Sequence, residues 1–323
     1  MCLPVLYGYT SIVYRSPVYS PYLPVLSKLM ILSSATVQVV MSSRSNMPFS
    51  IGQVQDAGLL FLSSMADRIA SDTNEDGDDP AVTVTTAIVL LPFYTVLTGL
   101  ALVVIGRLRL ASTVAYIPTP VVGGYLGFIG YFCLQAGVAL CVSKPMATIE
   151  SWASVMDLDS MRLGLPGLVA AAVMLIVSRK QPDCLPHVMV ATPAVFYVAV
   201  FAYYGVGNGL EGARGDKWIG SSKGGGGGGV EDVWNLFQFS LVRWDLAGEL
   251  LPTWIGMVFV IAFSSSLDVA AISMDMGKPL DTDRELETVG YCNVASGCLG
   301  GYTGSYIFSQ VRRRRRPCTT TAN

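Results

Sequence analysis

Four stretches of this chain carry no Asp, Glu, Lys or Arg: Pro80 to Gly106, Leu110 to Ser143, Cys184 to Leu210 and Leu250 to Leu267. Each is at or near the ~20 residues with which an α-helix crosses a ~30 Å hydrocarbon core. A soluble helix of that length needs a polar face toward water, and these have none. Backbone in lipid must satisfy its own hydrogen bonds, so such runs cross as helices, and the chain reads as an all-α polytopic membrane protein. Composition agrees, with 52% of the 323 residues hydrophobic and 14% charged. That charged share is about half the ~25% of an ordinary soluble domain, and the mean hydropathy is +0.51.

Candidate spans are a short N-terminal piece ending near Val13, then Tyr22 to Val40, Ile51 to Ala66, Ala81 to Ile105, Val114 to Ala139, Leu165 to Val177, Val188 to Gly205, Leu250 to Met274 and a weaker Leu286 to Leu299. The segments around Ile51 and Tyr306 are short and follow sequence rich in Gly, Ser, Pro or Thr. Paired, interrupted segments of this kind point to the half-helices of an inverted-repeat transporter, which meet at its binding site. If the first piece runs outward, one side collects Arg44, Arg107, Arg109, Arg179, Lys180, Lys278, Arg284 and the five arginines Arg312 to Arg316, twelve basic residues in short loops. The other side holds Arg15, Arg68, Lys144, Arg162 and four more in a long loop over 206–249. The excess makes the first side cytosolic and puts "SDTNEDGDDP" outside or in a lumen. The long loop contains six consecutive glycines, Gly224 to Gly229, and reads as flexible linker, since a phosphate loop would need a following Lys-Ser or Lys-Thr pair.

Several chemistries are disfavoured. The seven cysteines form no C-x-x-C pair, so no metal site is expected. His187 is the only histidine, and no nucleophile and base share a polar loop, so no enzyme activity and no cofactor are expected. A net charge of −2 gives no reason to expect nucleic acid, and the N-terminus lacks the basic region and cleavage site of a signal peptide.

The residues able to act on a solute are acidic and lie in the spans. On a helix Ser264, Asp268, Ala271 and Asp275 form one stripe of small and acidic side chains. An intramembrane carboxylate such as Asp268 marks an ion, proton or substrate path, with a structural hydrogen-bonding role as the alternative. Asp56, in "FSIGQVQDAGLL", is the second candidate, flanked by Gln53 and Gln55. A helix starting near Ser50 would aim its free N–H groups into the protein there, with Asp56 one turn in. Thr303, Ser305 and Tyr306 would line the start of the opposing half-helix. The pairs Gly123/Gly127 and Gly297/Gly301 have the spacing of close helix packing.

The stretch "SLDVAAISMDMGKPLDTDRELETVGYCNVASGCLGGYTGSYIFSQ" resembles the eighth to tenth spans of the sulfate permease family, solute carrier family 26. The matches are Asp268, then Asp281, Glu285, Leu286, Gly290 and Asn293 of a D-x-x-x-E-L-x-x-x-G-x-x-N pattern, then Gly304. Upstream, "SPVYSPY" and "GRLRLASTVAYIPTPVVGGYLGFIGY" resemble the family's second-span entry and its G-x-L-x-L-G-x-L segment. The resemblance implies a 7+7 inverted-repeat transporter with core and gate domains. Its substrate site would lie between the starts of spans three and ten, with Asp268, Asp56, Gln53, Gln55, Ser305 and Tyr306 at it. It also implies secondary transport of sulfate or a related anion, proton-coupled or not, in the plasma membrane or a vacuolar or other endomembrane, with a homodimer expected of a full-length protein.

Three departures bear on the substrate. The G-P-x-A of the third span is Gly52-Gln53-Val54-Gln55 here, the arginine usual beside the tenth-span serines aligns with Phe308, and Asp56 and Asp268 have no intramembrane Arg or Lys near them in sequence. These features resemble a fungal vacuolar branch of the family that handles cationic amino acids, so an anion and a basic amino acid both stand as substrates. The resemblance covers 1–310, breaks off inside the tenth span before any STAS domain, and leaves 311–323 as a polybasic tail. That pattern carries the further expectation of a truncated, non-transporting membrane fragment.

Overall fold

The computed structural model describes residues 2–47, 50–111, 119–142, 144, 146, 149–181, 184–205, 209–216, 218, 234, 236–277 and 279–307. The six-glycine run, the polybasic tail, Lys278 and Phe308 lie outside the described residues, as does the side chain of Asp275. In chain order the main elements are α1 (Cys2–Val13), α2 (Leu23–Arg44), β1 (Gly52–Val54), α3 (Asp56–Glu75), α4 (Pro80–Arg107), α5 (Thr119–Val142), α6 (Leu158–Lys180), α7 (Leu185–Tyr204), α8 (Leu246–Met276), α9 (Thr282–Cys298) and β2 (Gly304–Tyr306).

Helix ends follow from local chemistry. Asp79 caps α4 by accepting from Ala81 N at 3.0 Å, ahead of Pro80 at the first helical position, where a missing N–H costs nothing. Asp281 caps α9 by accepting from Arg284 N at 3.2 Å. The chain leaves α8 through Gly277, whose φ of 61° is a left-handed turn that glycine adopts without strain.

Among the described residues, five segments are long and apolar enough to cross a membrane: Pro17–Arg44, Pro80–Arg107, Leu158–Lys180, His187–Tyr204 and Leu246–Met274. α5, in the expected span Val114 to Ala139, enters only as the shorter apolar helix Gly127–Val142, and α3 and α9, also expected as spans, are not among the five. They are the more polar helices, and their burial is supplied by protein: α3 buries Leu59, Leu62, Met65 and Ile69, and α9 buries Leu286, Val289, Cys292 and Asn293.

The chain forms two compact units, Met1–Gly8 with Gly127–Gly226, and Tyr9–Leu126 with Gly227–Asn323. In the first, Val138, Val142 and Met146 form a small core against Trp152 and Val155, and Trp152 Nε1 donates to the Tyr131 hydroxyl at 2.9 Å. α6 and α7 leave Leu165, Leu175, Val195 and Val198 exposed, as helices facing hydrocarbon do.

In the second unit α4 and α9 pack backbone to backbone. Gly99 on α4 meets Gly290 on α9, Gly106 lies against Asp283 and Glu287, and Gly297 lies against Pro92 and Val96: an added Cβ at Gly99 would lie 2.5 Å from Val294 N, and one at Gly297 would lie 2.7 Å from Pro92 O. Gly301 is also tight against Ser296 and Ser33, whereas among the described residues nothing lies within 4 Å of a Cβ added at Gly123 or Gly127. The small-residue spacing therefore marks close packing at Gly297 and Gly301 and not at Gly123 and Gly127. At one end of this unit Arg44 stacks over Tyr291, whose hydroxyl accepts from Arg107. At the other, Arg243 pairs with Asp76, Asp78 and Asp245, Arg68 with Asp72 and Glu249, and Arg15 with Asp67.

Candidate functional site

The site is organised by a ribbon of two short antiparallel strands far apart in sequence, with Gly52 opposite Tyr306, Gln53 opposite Ser305 and Val54 opposite Gly304. Hydrogen bonds continue the pairing, from Gln55 N to Thr303 O at 3.0 Å and from Ile307 N to Ile51 O at 3.1 Å. Side chains alternate between the two faces of such a ribbon. Gln53, Gln55, Thr303 and Ser305 therefore share one face, and Gly52, Val54, Gly304 and Tyr306 the other.

The second face packs on α2, where glycine is required. A Cβ at Gly52 would lie 2.3 Å from Met41 Sδ, and one at Gly304 would lie 2.6 Å from Val37 Cγ2. Both outer edges are sealed by carboxamides. Gln38 of α2 accepts from Gly52 N at 2.9 Å and donates to Ser50 O at 3.1 Å. Asn293 of α9 accepts from Gly304 N at 2.7 Å and donates to Gly304 O at 3.0 Å. A side-chain amide has the donor and acceptor of a peptide, so each replaces the neighbouring strand that these edges lack. Behind β2, Ser33 and Ser296 hold the backbone of Tyr302.

The polar face looks toward α8. Gln55 Nε2 donates to Ser264 Oγ at 2.9 Å, and the hydroxyls of Ser265 and Ser305 are 2.7 Å apart. Three acceptor oxygens on this face, Gln53 Oε1, Gln55 Oε1 and Thr303 Oγ1, are buried without a hydrogen-bond partner among the described residues. Thr303 fits there because α3 offers Gly58, where a Cβ would stand 2.2 Å from its hydroxyl. Asp268 lies one turn beyond Ser264 and is partly buried, while Asp56 is exposed at the first position of α3 and accepts from Ala57 N at 2.9 Å. The two carboxylates are close enough to interact electrostatically. Neither forms an ion pair among the described residues. Among the same residues no group of three or more His, Cys, Asp or Glu is arranged for a metal ion.

The structure thus brings together Asp268, Asp56, Gln53, Gln55 and Ser305, with Thr303, and adds Ser264 and Ser265. Two expectations are corrected. α3 begins at Asp56 rather than near Ser50, because Gly52 to Val54 are drawn into strand pairing with β2. Asp56 is therefore at the helix start and not one turn in. Tyr306 is not on the site face; its place in the ribbon turns it to the opposite side, where its hydroxyl donates to Glu285 at 2.5 Å. Asp281, Glu285, Gly290, Asn293 and Gly304 also fall outside the polar face, as a helix cap, a buried anchor, a helix contact and the two halves of an edge clamp. The signal for Ser265 was the serine run in "FSSSLD", which the helical stripe through Ser264 divided.

The chain superposes on the transmembrane domain of the cyanobacterial bicarbonate transporter BicA with a TM-score of 0.59 and 15% identity, over 96% of this chain and 75% of that one. It is 28% identical over 323 residues to the vacuolar basic amino acid transporter VSB1 of Saccharomyces cerevisiae, a match covering 94% of this chain and 30% of that protein. The chain belongs to the sulfate permease family, whose pattern it matches over residues 1–312. It is a multi-pass integral membrane protein.

Proposed function

We propose that the ribbon and α8 form the substrate cradle of a secondary transporter, and that its solute is a cation of the basic amino acid class. The observation that carries this is the pair Asp56 and Asp268, within electrostatic range of one another and without an ion-paired partner among the described residues. Two carboxylates so placed need positive charge, which a solute or a coupled proton supplies. The acceptor oxygens of Gln53, Gln55 and Thr303 suit a ligand with several N–H donors. The vacuolar relative is a basic amino acid transporter, which agrees with this reading. The edge clamps support an inverted-repeat relation between α2–β1–α3 and the segment opened by α9–β2, since each strand is held by a carboxamide from the helix before it.

A second reading, an inorganic anion, is favoured by the N-terminus of α3, whose first N–H groups border the cradle. The family name points the same way. Counterflow of labelled arginine and labelled sulfate in the same proteoliposomes separates the two. Exchange of arginine, weakened at least ~10-fold in Asp268→Asn by loss of one charge contact, is the expected result. Sulfate exchange with no arginine exchange overturns the cationic reading.

A further inference from the structure

The ribbon's second face hides a carboxylate that the cradle does not use. Glu285, on the first turn of α9, is 1% exposed. It accepts from Ser45 Oγ at 3.0 Å, from Asn46 N at 3.1 Å and from the Tyr306 hydroxyl at 2.5 Å. All three donors are neutral, and no described Lys or Arg pairs with it. The nearby guanidinium of Arg44 is stacked on Tyr291 instead. A buried carboxylate without a cation is costly, and hydrogen bonds and a helix N-terminus are what make it tolerable. Each bond to it is therefore strong, and it makes them to two different parts of the chain. Ser45 and Asn46 open the connection from α2 into β1, whereas Tyr306 is β2 itself.

We propose that Glu285 is a positioning residue of the substrate cradle, fixing the two strands relative to each other through Tyr306 on one side and Ser45–Asn46 on the other. Tyr306 is next to Ser305 in β2, so holding its ring on the second face holds the Ser305 hydroxyl against Ser265 on the first. The carboxylate touches no solute; it acts through the strands. The inference rests on the reading of the ribbon's polar face as the cradle.

Two readouts on the full chain test it. Saturation binding in nanodiscs, with labelled L-arginine and labelled sulfate as separate probes, gives a Kd and a number of sites. Hydrogen exchange of the ribbon amides needs no ligand. Tyr306→Phe deletes one donor and keeps the ring. It is expected to raise Kd about 10-fold, the loss of one hydrogen bond to a charged group, with the number of sites unchanged. Glu285→Gln is expected to do the same and to speed exchange at Gln55 and Ile307 about 10-fold, leaving the α4–α9 interface protected. Tyr14→Phe, which breaks an equally buried hydroxyl pair with Tyr302, is the control and leaves Kd within about twofold. A merely structural role lowers the number of folded sites and leaves Kd alone, which overturns the proposal, as does unchanged ribbon exchange in both variants. If the unmodified chain binds neither probe while Glu285→Gln loosens the ribbon selectively, the anchor stands and the substrate reading falls.

Discussion

Gly290→Ala is a one-methyl change whose cost is set by the α4–α9 contact. The methyl would lie 2.7 Å from Val103 Cγ2 and 2.8 Å from both Gly99 O and Val103 N. Two of these are backbone atoms, so no rotamer relieves the clash and the helices must separate by roughly 0.7 Å or more to reach ordinary contact at about 3.5 Å. Overpacking of this kind costs about 1–3 kcal/mol, against a gain of about 1 kcal/mol from replacing glycine within a helix. Gly123→Ala on α5 is the matched comparison, because Gly123 is exposed and no atom of the described residues lies within 4 Å of its Cβ position. The propensity gain is common to both and cancels. The two variants should therefore differ by the overpacking term alone, which corresponds to thermal midpoints roughly 2–12 °C apart. Size-exclusion melts in detergent measure this directly. Equal midpoints, or a higher one for Gly290→Ala, would refute the argument that backbone approach is the reason for glycine there. Gly99→Ala combined with Gly290→Ala should cost less than the sum, since the first methyl already parts the helices.

Asn293→Ala removes both bonds that seal the edge of β2, leaving the buried Gly304 N–H and carbonyl without partners. The expected loss is about 2–4 kcal/mol, read as a lower thermal midpoint, and Gln38→Ala should weaken β1 in the same sense. The Arg243 strap carries a pH dependence. The hydrogen bond from Arg243 holds the Asp245 carboxyl below its usual range. A folded-state value below the unfolded one means stability that is fully present above about pH 4 and lost as pH falls through the lower value. Thermal midpoints should therefore drop on acidification from pH 5 to pH 3, and Arg243→Met should flatten that part of the drop; an unchanged slope would show that the strap contributes nothing.

The spans were legible because charge-free runs longer than a turn or two have no other use in lipid, and α4 and α8 follow them closely. The start of α3 was not, because what stops a helix at Gly52 to Val54 is a partner strand at Gly304 to Tyr306 that no local pattern announces. The alternation of Gln53 and Gln55 with Thr303 and Ser305 was nevertheless in the sequence, and once the strands are paired it assigns Tyr306 to the face opposite the polar one. Gly123 and Gly297 look alike in spacing and differ in surroundings, which depend on where the helices travel. Asp281 and Glu285 are close in the chain, yet one caps a helix and the other is buried, because the donors for Glu285 come from Ser45, Asn46 and Tyr306.

The ribbon also constrains how the protein can be made. Val54 pairs with Gly304, 250 positions downstream. At about 5–20 residues per second of synthesis, β1 waits roughly 10–50 s for its partner. Unpaired strand backbone is not tolerated in hydrocarbon, so α2 and α3 cannot be released into the bilayer in finished form as they emerge. The N-terminal helices must be sheltered, by the insertion machinery or in a provisional arrangement, until α9 has been translated. Membrane entry and final assembly are then separate events in the biogenesis of this chain, and the pairing of β1 with β2 marks the moment at which the second is complete.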